Sequence, residues 1–164
     1  MTKDSDDFDD TVSVETPLLG TIGLENFEPY LMNRIMGRYN ATLRDDMAGM
    51  GLTTAKMRAL AVLSVVNRPL IRELSVYAVV EQSTLSRALD ALEREGRIRR
   101  EADGQDARAT RVVLTDEGRS AFEQLWPTMA GAYEDMFRGV APEDRAAFLR
   151  TLKTMLLNIR RNKI

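Results

Sequence analysis

Ser83, Ser86 and Arg87 are spaced so that one helical surface would carry two hydroxyl donors and a guanidinium. Wound as a helix over residues 81–96, the chain puts Leu85, Ala88, Leu89 and Leu92 on one stripe at i, i+3, i+4 and i+7. Ser83, Arg87, Asp90 and Arg94 fall on the opposite side with Ser86 beside them, and Gln82 and Thr84 lie on the flanks. Backbone N–H groups at a helix N-terminus favour anions, and arginine is the most frequent reader of guanine, through O6 and N7. Together these suit the nose of a helix that enters a DNA major groove. An ordinary amphipathic helix with a solvated outer face is the competing reading.

The segment that follows favours the first reading. Gly96 ends the helix, and Arg97–Glu101 and Ala107–Leu114 are rich in β-formers and arginine. Between them, Ala102–Asp106 contains an Asp-Gly turn signal, so a two-stranded hairpin is predicted immediately after the helix. Six arginines stand against four acids between Arg94 and Arg111, an excess that matters only if the cations share a face. An exposed hairpin kept soluble by its arginines would look similar.

Further elements must position this pair. A helix is predicted over 25–49, weakened by Gly37 and ended by Gly49-Met50-Gly51. Another follows Thr53 as N-cap and runs to about Val66, with Asn67-Arg68-Pro69 as a turn. A short helix is predicted over Ile71–Ala78. After the hairpin, Thr115 caps a helix that reaches about Phe137 and should kink near Pro127. Pro142 opens the last helix, whose stripe is Phe148, Leu149, Leu152, Met155, Leu156 and Ile159. Residues 1–23 lack periodicity and read as mostly disordered.

The run Gln82-Ser83-Thr84-Leu85-Ser86-Arg87, then Leu89-Asp90-x-Leu92-Glu93-x-x-Gly96, Asp106-x-Arg108 and Val113-Leu114-Thr115-x-x-Gly118 resembles the MarR-type (multiple antibiotic resistance regulator) transcription factors. The likeness covers about residues 24–160. It implies a mainly α fold: a winged helix-turn-helix core with a two-stranded wing, flanked by N- and C-terminal dimerisation helices. The expected organisation is a disordered acidic tail at 1–22, a dimerisation helix at 23–50, a winged-helix DNA-binding domain at 51–115, and dimerisation helices at 116–164.

The unmatched apolar stripes of the terminal helices fit a twofold homodimer, although an intramolecular bundle would also cover them. A dimer would place two recognition helices in successive major grooves, roughly 34 Å apart, on a pseudo-palindromic operator. The resemblance also implies that Arg108 reaches the minor groove, with Asp106 orienting basic side chains there. Arg97, Arg99, Arg100 and Arg111 read as phosphate-facing or solvated. The expected DNA-facing set is thus Gln82, Ser83, Thr84, Ser86, Arg87, Arg94, Arg99, Asp106 and Arg108.

The family's habit of responding to a small aromatic or phenolic ligand implies a cleft, for which Met32, Met36, Tyr39, Met57, Phe122 and Trp126, with Ala61, are candidates. The expected function is a homodimeric repressor released by such a ligand. A winged helix that binds protein or RNA is the alternative, and it would want an apolar outer face on 81–96.

Three departures from the family pattern stand out. Val79-Val80 occupies a turn where glycine is usual, which predicts a different turn geometry or a helix that runs on. Leu70-Ile71 offers no polar cap, and Ala141 stands where a capping serine is usual.

Composition agrees with a DNA-binding globular protein. The 164 residues include 44% hydrophobic side chains and carry a net charge of −2. Residues 1–16 hold one lysine and six acids, a net −5, which leaves 22 bases against 19 acids, or +3, in the remainder. There is no cysteine and no histidine, which removes thiol redox sensing, thiolate or imidazole metal sites and a Ser-His-Asp triad. Gly49–Lys56 lacks the glycine before lysine that a phosphate loop needs. The carboxylates in Asp45-Asp46 and in Glu134-Asp135 are neighbours that point about 100° apart on a helix, unlike an acid/base pair. No enzyme chemistry, cofactor or metal is expected. No apolar run approaches a membrane span and the start at Thr2–Asp10 is unlike a signal peptide, so a cytoplasmic location and no membrane partner are expected.

Overall fold

The apolar stripe of residues 81–96 decides how the rest is arranged. Leu85, Leu89 and Leu92 are fully buried and Ala88 nearly so, while Gln82, Ser83, Ser86 and Arg87 remain exposed. This is a computed structural model, and it describes residues 17–106 and 108–160. The helices are α1 (Leu19–Ile22), α2 (Glu28–Thr42), α3 (Arg44–Gly49), α4 (Thr54–Leu63), α5 (Ile71–Ala78), α6 (Gln82–Arg94), α7 (Asp116–Met136) and α8 (Pro142–Ile159). A 3-10 turn spans Leu24–Asn26, and strands β1 (Ile98–Ala102) and β2 (Thr110–Leu114) form an antiparallel hairpin with Ile98 opposite Leu114.

The chain divides into two compact units, residues 1–36 and 37–164. In the second, α4, α5, α6 and the hairpin enclose a core of Leu60, Leu74, Leu85, Leu89, Leu92 and Val112, which is continued by Leu125 and Met129 of α7. A bridge between Leu70 and Arg111 adds one rung to the hairpin, so the start of α5 is tied to the wing. Among the described residues, no helix is long and apolar enough to cross a membrane.

Local signals explain most boundaries. The Thr53 hydroxyl accepts the Lys56 N–H, and the Thr115 hydroxyl accepts the Gly118 N–H, so both threonines are N-caps as expected. Leu70 has no cap group of its own, but the Glu73 carboxylate accepts the Leu70 N–H, which is half of a capping box. Ala141 opens α8 without a side-chain cap, leaving the first turn to Pro142, Glu143 and Asp144.

Several expectations change. The single helix expected over 25–49 is α2 and α3 with an interruption at Leu43. Thr42 donates its hydroxyl back to the Arg38 carbonyl, a bond that bends helices, and Leu43 is fully buried at the joint. The helix after Thr53 stops at Leu63 and not near Val66. Leu19–Ile22 is a helical turn inside the stretch read as disordered, closed by Gly23 at φ 78°. The acidic segment 1–16 lies outside the described residues. The helix that contains Pro127 runs unbroken to Met136, close to the end expected near Phe137.

The turn between α5 and α6 adopts the conformation that its sequence disfavours. Val79 sits at φ 51°, ψ 49°, the left-handed region, although its branched Cβ is strained there. The Arg58 guanidinium donates to the Val79 carbonyl at 3.0 Å and holds the turn, so the register of α6 is retained. The side chain is 78% exposed and buries almost nothing. Val79→Gly should therefore stabilise the fold by about 1 kcal/mol, less the entropy of a freer unfolded chain. A chemical denaturation midpoint at or below that of wild type would contradict this.

Candidate nucleic-acid interface

Helix α6 projects a polar face made by the same repeat that buries its leucines. Gln82, Ser83, Thr84, Ser86, Arg87 and Arg94 are all exposed. Arg87 lies along its own helix, with Nε 3.5 Å from the Ser83 carbonyl. Among the described residues, neither Arg87 nor Arg94 is within ion-pair distance of an acid.

Glu81, absent from the expected set, caps this helix. Its carboxylate accepts the N–H groups of Ser83 (3.0 Å) and Thr84 (3.2 Å) and also the Ser83 hydroxyl proton. The hydrogen bond from the Ser83 hydroxyl, helped by the two backbone donors and by the Arg87 charge, holds this carboxyl below the usual glutamate range. The sign is that of a depressed acid: the contribution is present above the ordinary glutamate pKa and is lost as pH falls through the lowered value. The positive helix end thus already holds an anion. The readable signal was an acid directly before the first helical residue.

The arginines of the hairpin region separate into structural and free groups. Arg100 donates to Asp90 (2.8 Å) and to Glu93 (2.9 Å), fastening β1 to α6. Arg111 donates to Asp103 (2.6 Å) and to the Arg68 carbonyl (2.8 Å), and its guanidinium lowers the Asp103 pKa. Arg97 reaches the Met50 carbonyl at 3.1 Å and lies beside Glu95. These three were expected to face phosphate or solvent; each is instead half-buried against its partner, Arg97 on a backbone carbonyl beside Glu95, and Arg100 and Arg111 on acids that the hairpin brings alongside. Arg99, expected at DNA, donates to Glu101 at 2.9 Å, and Glu101 is shared with Arg68. Its side chain remains 59% exposed, but its charge is not free. Arg108 is exposed and without an ion pair among the described residues, while the Asp106 carboxylate accepts the Arg108 backbone N–H at 3.0 Å. Asp106 therefore shapes the tip of the wing through the backbone.

A second feature lies between α4 and α7. Ala61, Ser64, Val65, Arg119, Phe122, Glu123, Trp126 and Met129 line an open groove of about 440 Å³. The Phe122 and Trp126 rings are 6.0 Å apart, and Trp126 is half-exposed. Phe122, Trp126 and Ala61 thus meet as expected. Met57 does not join them: it is 3% exposed, on the core side of α4 beside Leu60. Tyr39 is half-buried, packed against that core, and its phenol pKa is raised by burial. Met32 and Met36 belong to the unit of residues 1–36. Arg119 and Glu123 were not anticipated; both sit on the Phe122–Trp126 side of α7, one helical step away.

Comparison with known proteins gives a consistent result. A sequence model of the MarR family matches residues 50–109. A MarR-family transcriptional regulator from Silicibacter pomeroyi, known from its crystal structure, is 55% identical, with 90% of this chain and 100% of that chain covered and a TM-score of 0.86. The HTH-type transcriptional repressor IacR of Pseudomonas putida is 22% identical over 135 residues, covering 82% of this chain and 81% of the relative. Bordetella bronchiseptica BpsR, whose DNA binding is regulated by 6-hydroxynicotinic acid, shares the fold at a TM-score of 0.67 and 23% identity, with 77% of this chain and 96% of that chain covered.

Proposed function

Because this chain belongs to the MarR family and is a DNA-binding transcriptional regulator, we propose that it works as a homodimeric repressor which a small aromatic acid releases from a pseudo-palindromic operator. The observation that carries this is the exposed Ser86–Arg87 face of α6, where Arg87, like Arg94 and the wing's Arg108, has no ion pair among the described residues, whereas Arg99, Arg100 and Arg111 are paired. Arg87 is the base reader, with Ser83 and Ser86 beside it. Gln82, Thr84 and Arg94 meet the backbone, and Arg108 meets the adjacent minor groove. Arg99 is at most a shared phosphate contact. Residues 51–115 form the DNA-binding domain in this reading. Residues 23–50 and 116–164 form the dimer, with the tail 1–22 outside it.

Unpartnered apolar faces support the pairing. No residue of α8 is buried, and Phe148, Leu149, Leu156, Leu157 and Ile159 are each at least 43% exposed. Leu24, Leu31, Ile35 and Met36 are exposed in the other unit. So much bare apolar surface marks an interface.

The groove between α4 and α7 falls within the about 300–1,000 Å³ typical of small-ligand sites. Its indole and phenyl walls suit an aromatic ring, and Arg119 suits a carboxylate. The ligand acts by binding one spacing of the recognition helices better than another. The relatives are regulators of transcription, and the cytoplasm is the expected compartment of this chain.

Binding to duplexes selected from a random pool tests the reading. The expected result is clear sequence preference together with an affinity that falls steeply with salt. Affinity for single-stranded RNA or a protein with indifference to duplex sequence would instead favour an interaction module.

A further inference from the structure

A pocket of about 270 Å³ opens where three elements converge: Leu70, Ile71 and Arg72 from the start of α5, Gln82 from the start of α6, and Asp106, Arg108, Ala109 and Thr110 from the wing. The first turns of α5 and α6 therefore border one pocket, with the leading amides already taken, Leu70 N–H by Glu73 and those of Ser83 and Thr84 by Glu81, so the positive charge at the pocket comes from side chains. Two arginines border it as well, against one aspartate. That aspartate, Asp106, already accepts the Arg108 backbone N–H. Neither Arg72 nor Arg108 has an acid within ion-pair distance among the described residues, in contrast to Arg97, Arg99, Arg100 and Arg111 nearby. The volume is below that of typical sites for organic ligands, and the walls are largely polar.

We propose that this pocket is a cradle for one backbone phosphate of the bound duplex, and that Arg72 is a DNA-contacting residue of this protein. The proposal rests on the DNA-binding reading above. Gln82 begins the helix that faces the major groove, and Arg108 belongs to the wing that reaches the minor groove. The strand between those two grooves presents its phosphates where the pocket lies. Arg72 then fixes the register of α6 on the duplex without reading any base. The same cradle ties α5 and the wing, already linked through the Leu70–Arg111 bridge, to a single point on the DNA.

Arg72→Ala tests this, with binding to a selected duplex and to its scrambled counterpart measured across a salt series. The contact removes about 0.9 from the slope of log affinity on log salt for each phosphate, hence about 1.8 for a dimer. Affinity for both duplexes should fall together, the ratio between them should hold, and Arg72→Lys should recover much of the slope. The melting temperature should not move, because Arg72 is exposed. A wild-type slope in Arg72→Ala, or loss of preference at one base position, overturns the cradle while leaving the DNA-binding reading intact. If wild type itself shows neither salt dependence nor sequence preference, that reading fails and the cradle with it.

Discussion

Gly118→Ala should unfold far below wild type. A Cβ at this position would stand 2.0 Å from the Arg97 carbonyl oxygen and 2.7 Å from Leu114 Cδ1, well inside van der Waals contact. The oxygen cannot retreat cheaply, because it also accepts the Thr115 N–H at 3.2 Å, while the Thr115 hydroxyl donates to the Gly96 carbonyl at 2.7 Å. These bonds lock the exit of α6 and the start of β1 onto the first turn of α7. A methyl group would wedge them apart at a cost of about 3 kcal/mol or more. For a chain of this size that lowers the melting temperature by about 6–12 °C. Gly131→Ala on the same helix meets nothing within 4 Å and should be neutral or stabilising by up to about 1 kcal/mol. Equal effects from the two substitutions would contradict this explanation of the Leu-Thr-x-x-Gly motif.

Arg87→Ala should have the largest effect on function while leaving the fold intact. The side chain is exposed and no acid depends on it for an ion pair, so the melting temperature should stay near that of wild type. A bidentate arginine–guanine contact carries about 1–3 kcal/mol, and a twofold dimer makes it twice. Operator affinity should therefore drop by about 2–6 kcal/mol, or roughly 30-fold to more than 10⁴-fold. Affinity for scrambled DNA should change far less, and preference should relax at the contacted position in both half-sites. Arg108→Ala should weaken both duplexes with little change in preference. Gel shifts across operator variants separate the two patterns, and unchanged operator affinity in Arg87→Ala would remove Arg87 from the interface.

What could be read from the chain was set by periodicity and caps. The α6 stripe was legible because Leu85, Ala88, Leu89 and Leu92 repeat at the helical period and all four are buried. Thr53 and Thr115 were legible because a capping hydroxyl acts within three residues of itself. The interruption at Leu43 was not, because α3 resumes almost without changing the apolar spacing. Val79 misled for a different reason. Its local preference against positive φ is real, but a hydrogen bond from Arg58, twenty-one residues earlier, overrides it.

The basic surface was legible only as a count. Which arginines were free depended on acids brought close by the hairpin and by α6: Arg100 on Asp90 and Glu93, Arg111 on Asp103, Arg99 on Glu101. Met57 failed as a groove residue because both sides of α4 are apolar, and sequence spacing does not say which side meets α7. Arg72 carries no local signal, because its neighbours in the pocket come from two other elements, α6 and the wing.

The central claim is that two copies of this chain present their α6 helices to one side of a duplex. Hydroxyl-radical footprinting on a selected operator tests it most directly. The account predicts two protected patches on one face of the DNA, with centres roughly 34 Å apart or a multiple of that, both weakened in Arg87→Ala. A single protected patch, or uniform protection that ignores sequence, would contradict it.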